Sequence, residues 1–191
     1  MRGTGNPIVR GEKVWLRRFE KADIAAYKAA VNDANVAFLA GYLSPQNDVM
    51  VERFFDKRAS GDEYFFVISP LGSEEFVGTI WLWNKDGRLG GIELSMFIVD
   101  PGNRGKGLGT DAINAMLDFG FGNLDIHRIW LTTLQDNEPA HRAFQRTGFV
   151  EEGTVRGHYL RNGRRLDSVQ MSILRPDWDA LDRPRSWELD A

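Results

Sequence analysis

Arg104-Gly105-Lys106-Gly107-Leu108-Gly109 follows an apolar, strand-like run from Ile92 to Val99 and precedes a stretch of helical periodicity. A turn of this kind suits an anion. The first amides of a helix have no internal partners, the helix dipole favours negative charge there, and glycines let the backbone approach phosphate oxygens closely. Arg104 and Lys106 add positive charge. An ATPase phosphate loop is excluded, because Gly107 is not followed by lysine. The dinucleotide fingerprint would need its third glycine at position 110, where Thr110 stands. An ordinary glycine-rich turn has the same letters, so the spacing alone decides nothing. In the preceding strand, alternation places Glu93, Ser95, Phe97 and Val99 on one face and Leu94, Met96 and Ile98 on the other. Glu93 therefore presents a carboxylate beside a hydroxyl. A solvated or salt-bridged strand carboxylate is an equally good reading of that residue.

These groups need elements to hold them. Val14 to Arg17 reads as a short strand, and a helix follows from Asp23 with Ile24, Tyr27, Ala30 and Val31 at helical spacing. Val49 to Ala59 predicts a second helix with Asp48 as its cap. Three strands, Glu63 to Ser69, Glu75 to Trp83 and Ile92 to Val99, are rich in aromatic and β-branched residues and are separated by turn-like segments, which predicts an antiparallel meander. After the glycine loop, Ile113, Met116, Leu117 and Phe121 share one face of a helix starting near Leu108. Ile126 to Thr133 is a strand, Glu138 to Arg146 a short helix, and Gly148 to Val155 and Leu166 to Leu174 are strands. Gly157 to Arg165 reads as an exposed basic hairpin between these last two, and the tail from Pro176 reads as peripheral.

Composition narrows the chemistry. The 191 residues hold no cysteine, which excludes disulfides, thiolate metal sites and a cysteine acyl-enzyme. His127, His141 and His158 match no metal-ligand spacing, so no metal is expected. The net charge of −3 disfavours nucleic-acid binding and suits a cationic substrate such as an amine. No apolar run is long enough for a membrane span, and nothing reads as a secretory signal, so a cytoplasmic location is expected, away from membranes.

Taken together the motifs resemble the GNAT superfamily of N-acetyltransferases. Arg104, Gly107 and Gly109 match its cofactor motif, Arg/Gln-x-x-Gly-x-Gly/Ala after a strand. Leu124 to Ile129, Asn137 to Ala140 and Gly148-Phe149 match the family's next strand and helix. Leu16-Arg17 with Asp23, then Gly153, and Asn162-Gly163 with Asp167 and Met171 extend the match over residues 13 to 174. The resemblance is closest to the branch of ribosomal-protein N-terminal and spermidine acetyltransferases.

That resemblance implies one α/β (α+β) domain over residues 8–175, with 176–191 as a tail. The domain would be a mixed, mostly antiparallel sheet of about seven strands with helices on both faces, splayed at a CoA cleft. It implies direct acetyl transfer from acetyl-CoA to a primary amine, either a protein or peptide N-terminus or a small amine such as a polyamine. A homodimer is compatible with it. Phe97, Ile98, Val99, Arg104, Gly105, Lys106, Gly107, Leu108, Gly109, Thr110 and Asn137 are then the expected cofactor contacts, with an oxyanion-binding N–H near Ile98 or Val99. Asn137 is explained as well by capping the helix that begins after it. Glu93 becomes the expected base, with Ser95 beside it.

Phe38, Tyr42, Trp83 and Tyr159 are the expected acceptor contacts, although core packing is an alternative for such aromatics. The sequence departs from many relatives at Phe144, where they carry a tyrosine that protonates the departing thiolate. Either no side chain does so here, or water, Ser95, Tyr159 or His141 substitutes. A catalytically silent acyl-CoA-binding or regulatory module is the rival class.

Overall fold

Apolar alternation and tight turns build the sheet from its N-terminal edge. The computed structural model describes residues 9–39, 44–59, 64–99, 102 and 105–189. Val9–Arg10 (β1) and Val14–Arg17 (β2) form a hairpin in which the Gly11 N–H donates to the Val14 carbonyl at 2.8 Å. Next come three helices, Ile24–Val31 (α1), Ala34–Leu39 (α2) and Asp48–Ala59 (α3). Tyr64–Pro70 (β3), Gly78–Asp86 (β4) and Gly91–Ile98 (β5) continue the sheet as the expected meander. The long helix Leu108–Asn123 (α4) supplies the crossover that a parallel neighbour requires. Arg128–Leu134 (β6) is that neighbour. Glu138–Arg146 (α5) leads to the hairpin of Val150–Arg161 (β7) and Arg164–Leu174 (β8), which gives the order β1-β2-β3-β4-β5-β6-β8-β7. The sheet is mixed, mostly antiparallel and open, as the sequence predicts. Its eighth strand, β1, is two residues long and too short to show a period.

Each face of the sheet has its own core. On one, Ile113, Met116 and Leu117 of α4 pack with Ile80, Leu82, Leu94, Ile129 and Met171. On the other, Tyr27, Val31, Val51 and Phe55 of α1 and α3 pack with Phe65, Val67 and Phe97. The alternation predicted for β5 therefore holds, with Leu94, Met96 and Ile98 against α4 and Phe97 and Val99 on the other side.

Polar groups fix the helices in place. Arg17, buried, grips both oxygens of Asp23 at 2.7 Å and also donates to Ser69 Oγ and the Glu74 carbonyl, so β2 determines where α1 begins. Asn47 caps α3, its Oδ1 accepting the Met50 N–H at 3.0 Å, while the predicted cap Asp48 is the first helical residue.

The bounds of the last two strands and the segment after them differ from their sequence reading. The basic hairpin is no interruption, because Asn162 and Gly163 both take positive φ, 51° and 75°, and so make a tight turn that lets β7 and β8 run to its edge. The segment after β8, expected at the periphery, instead sends Trp178 of Arg175–Asp179 (α6) into the α4 core. Asp118 of α4, 1% exposed, explains this anchoring, since it accepts from Trp178 Nε1, from Arg183 and from Ser186. None of the described helices is long and apolar enough to cross a membrane.

Candidate active site

The sheet opens where β5 and β6 part. Gly91, Ile92 and Glu93 pair with Arg128, Ile129 and Trp130, and there the parallel ladder ends. Beyond it β5 stays with β4 as far as Ile98, and β6 stays with β8 as far as Leu134. The Val99 N–H donates to the Val77 carbonyl at 3.0 Å, which fixes the phase of the β4–β5 ladder. Main-chain groups alternate in direction along a strand, so those of Ser95, Phe97 and Val99 face β4 and those of Met96 and Ile98 face the opening. An extended ligand in that opening meets a strand edge suited to main-chain hydrogen bonds. Two of the expected contacts have other partners here. Val99 has its N–H occupied by Val77, and Phe97 is a core aromatic whose ring lies 6.2 Å from both Tyr27 and Trp81.

Gly78 lets β5 sit this close on β4. A Cβ there would stand 2.2 Å from the Phe97 carbonyl oxygen, which is backbone and has no rotamer to escape into. Gly78→Ala is expected to cost about 1–3 kcal/mol of stability in urea unfolding, and to lower activity by shifting β5. A variant with unchanged midpoint and turnover would show that β5 tolerates the move.

Glu93 stands at the apex of the opening. Its carboxyl is half-buried, and that burial pushes it above the usual carboxylate range, with only partial offset from Asn84, whose Nδ2 lies 3.4 Å from Oε2. Two residues further along β5, Ser95 Oγ accepts from Trp83 Nε1 at 3.0 Å, and Trp83 is 45% exposed. Two residues beyond Trp130 on β6, Thr132 shares a hydrogen bond of 3.1 Å with the Tyr159 hydroxyl. Ser95 and Thr132 thus stand on opposite lips of the opening, on the Glu93 face.

Tyr159 reaches Thr132 because β7 is irregular. The pairing passes from Val155↔Ser168 to Tyr159↔Leu166, so β7 carries two extra residues, and Asp167 Oδ1 holds the bulge by accepting the Gly157 N–H at 2.7 Å. Phe38 of α2 packs on Tyr159, ring centroids 6.1 Å apart, and the Arg161 guanidinium lies 4.3 Å over Phe38. The structure therefore brings Phe38 and Tyr159 together, whereas Trp83 belongs to the Ser95 lip. Tyr42 lies outside the described residues.

The glycine loop meets α4 as its letters require. Gly105 and Gly107 have φ of 75° and 83°, a region costly for any residue with a Cβ, and Gly107 is the residue before the helix. Lys106 belongs to the turn, and Leu108, Gly109 and Thr110 form the first turn of α4. Arg104 lies outside the described residues. Asn137 caps α5, its Oδ1 accepting the Ala140 N–H at 3.4 Å. Phe144 lies in the α4 core with its ring 5.5 Å from Phe149, and His141 is half-buried with Nε2 3.0 Å from the Leu134 carbonyl. Among the described residues no cluster of histidine and carboxylates is placed to hold a metal.

Two residues beside the loop escaped the sequence reading. Lys13, in the β1–β2 turn, donates from Nζ to the Lys106 carbonyl at 3.2 Å. Asp111, one turn into α4 and buried, accepts the main-chain N–H groups of Glu12, Lys13 and Val14 at 2.8–3.0 Å. The available signal was an aspartate among core positions of an apolar helix. No spacing rule links residues 98 apart in the chain.

Comparison with known proteins gives the family. The acetyltransferase (GNAT) domain family matches residues 13–150, more than half of the chain. A probable N-acetyltransferase of Bacillus subtilis, YjcK, is 28% identical over 180 residues, covering 89% of this chain and 98% of the relative. A spermidine N(1)-acetyltransferase of Vibrio cholerae is 38% identical over 77 residues, 40% of this chain and 44% of that protein. The crystal structure of spermidine N-acetyltransferase from Vibrio cholerae in complex with CoA and spermine superposes with a TM-score of 0.77 at 26% identity, covering 86% of this chain and 97% of that one. An open mixed sheet parted beside a strand–glycine loop–helix unit, together with a family match over most of its length, places this chain in the GNAT family as an acetyl-CoA-dependent N-acetyltransferase.

Proposed function

We propose that the chain transfers the acetyl group directly to a primary amine presented on the Glu93 face, with the CoA arm in the opening between β5 and β6 and its diphosphate on the loop from Arg104 to Gly109. The observation that carries this reading is the half-buried Glu93 carboxyl at the apex of the opening. A carboxylate whose affinity for a proton is raised by burial is a better base near neutral pH than an exposed one. In the step, the amine nitrogen bonds to the acyl carbon, the carbon–sulfur bond breaks, and Glu93 takes the proton the nitrogen gives up. We assign the main-chain N–H of Met96, on the strand edge facing the opening, to the thioester oxygen as it gains negative charge.

The departing thiolate needs a proton, and Phe144 has none to give from the core. Tyr159 is the group we assign, because its hydroxyl reaches the β6 lip through Thr132, whereas His141 is engaged with the Leu134 carbonyl and Ser95 lies on the opposite lip. Tyr159→Phe keeps the ring against Phe38 and removes the proton. It is expected to lower kcat about a hundredfold with a near-constant KM for the amine. With an acetyl thioester of an aromatic thiol, whose thiolate leaves unprotonated, the deficit should shrink to a few-fold. An equal deficit with both donors would assign Tyr159 to packing alone.

Two acceptor classes have support. The Arg161 guanidinium over Phe38, beside Tyr159, puts positive charge at the acceptor mouth, which favours the single α-amine of a peptide or protein N-terminus over a polycation. The similarity to spermidine acetyltransferases and the net charge of −3 favour a polyamine. Labelled acetyl-CoA offered with N-terminal peptides and with spermidine separates them by kcat/KM. Failure to acetylate any amine in a broad panel would reject the proposal.

A further inference from the structure

The hairpin turn between β1 and β2 touches the glycine loop, and its chemistry exceeds what packing requires. Asp111, in the first turn of α4, takes the N–H groups of three successive residues, Glu12, Lys13 and Val14. On the other side, the Leu71 N–H donates to the Lys13 carbonyl at 2.9 Å, so the Lys13 backbone is held from both directions. Gly11 makes this seating achievable, since a Cβ there would stand 2.3 Å from an Asp111 oxygen. From the fixed turn the Lys13 side chain extends to the loop. Its Nζ donates to the Lys106 carbonyl and lies 2.9 Å from where a Cβ on Gly107 would be.

We infer that Lys13 is a binding residue for the diphosphate of acetyl-CoA, and that Asp111 is the positioning residue that holds it at the loop. This rests on the proposal that the loop seats the diphosphate. An exposed ammonium keeps its hydration and its rotamer freedom, so one tethered by a single carbonyl at a helix N-terminus exchanges that carbonyl for a phosphate oxygen at little cost. The arrangement also answers an electrostatic difficulty. A carboxylate in the first turn of α4 opposes an incoming anion, and at Asp111 it is satisfied by three amides while Lys13 supplies a compensating positive charge on the ligand side. The loop's own cations, Arg104 and Lys106, are neighbours in sequence. Lys13 comes from the first hairpin, so the diphosphate seat depends on two distant parts of the chain.

The test compares acetyl-CoA with acetyl-pantetheine, which carries the same thioester and lacks every phosphate. Lys13→Met is expected to raise KM for acetyl-CoA about tenfold, the size of one charge-assisted hydrogen bond lost from an exposed seat, with kcat and the amine KM unchanged. Its kcat/KM with acetyl-pantetheine should equal that of the parent enzyme. Lys13→Arg should restore most of the loss, and the KM of Lys13→Met should depend less on salt. Asp111→Asn should reproduce the donor-selective loss, and adding Lys13→Met to it should deepen the loss little, because both act on one contact. Equal effects on the two donors, or none on either, would overturn the inference. Arg104→Ala is the control for the loop. If it discriminates between the donors and Lys13→Met does not, the inference fails while the loop reading stands; if neither discriminates, the loop reading fails as well.

Discussion

Glu93→Gln is expected to lower kcat/KM by about a hundredfold to a thousandfold while leaving the fold intact. The substitution keeps the size of the side chain and its contact with Asn84, and removes the capacity to accept a proton. The pH profile gives the sharper outcome. Burial raises the Glu93 carboxyl above its ordinary range, so the acidic limb of kcat/KM in the parent enzyme should fall at a higher pH than an exposed glutamate would give. That limb should vanish in the variant.

Stability should move in the opposite direction. A carboxyl whose folded pKa lies above its unfolded value binds more protons when folded, so stability declines as pH rises through the interval between the two values, and the ionised form is a cost above it. Glutamine removes that cost. The variant should therefore melt no lower than the parent at neutral pH, by calorimetry, even as turnover collapses. A variant retaining more than half of the parent's kcat/KM across the pH range would remove Glu93 from the chemistry.

Asp118→Ala has the largest expected effect on stability, about 3–5 kcal/mol, with a fall in Tm on the order of 10 °C. The buried carboxylate satisfies the Trp178 indole, both terminal nitrogens of Arg183, and the N–H and hydroxyl of Ser186. Alanine leaves the Trp178 indole and both Ser186 donors without their acceptor and Arg183 with only the Asn114 and Pro184 carbonyls, in a region that water does not reach easily, and Trp178 loses the bond that orients it in the α4 core. Trp187, whose ring packs on Gly122, should loosen with them. Asp118 lies ten residues along α4 from the loop end, about 15 Å away, so kcat measured well below the melting range should stay near that of the parent. A loss below about 1 kcal/mol in urea unfolding would mean that the C-terminal segment is not integral to the core.

The contrast between these residues shows how far sequence pattern reaches. Alternation in β5 placed Glu93 and Ser95 on one face and Leu94, Met96 and Ile98 on the other, because a strand's period of two depends on the backbone alone. The cap at Asn137, the helix it opens and the positive-φ glycines of the loop were legible for the same reason, since each answers a requirement within a few residues. Asp118 and Asp111 were not, because their partners lie 60 to 99 positions away and no local rule distinguishes a buried carboxylate with distant donors from a solvated one. Phe97, a cofactor contact expected from the resemblance, has its ring in the second core, a packing that no local rule specifies.

By itself, then, the sequence determined the glycine turn before α4, the order of strands and helices around it and the face that Glu93 occupies, all of which depend on spacing of a few residues. The tertiary structure alone decided where the sheet parts, which main-chain groups face the opening, that Tyr159 meets Thr132 while Phe144 is lost to the core, and that Lys13 arrives at the loop. Those outcomes depend on register and on contacts between segments distant in the chain. Their energies come from packing and from satisfying buried polar groups, and neither is written in any one segment.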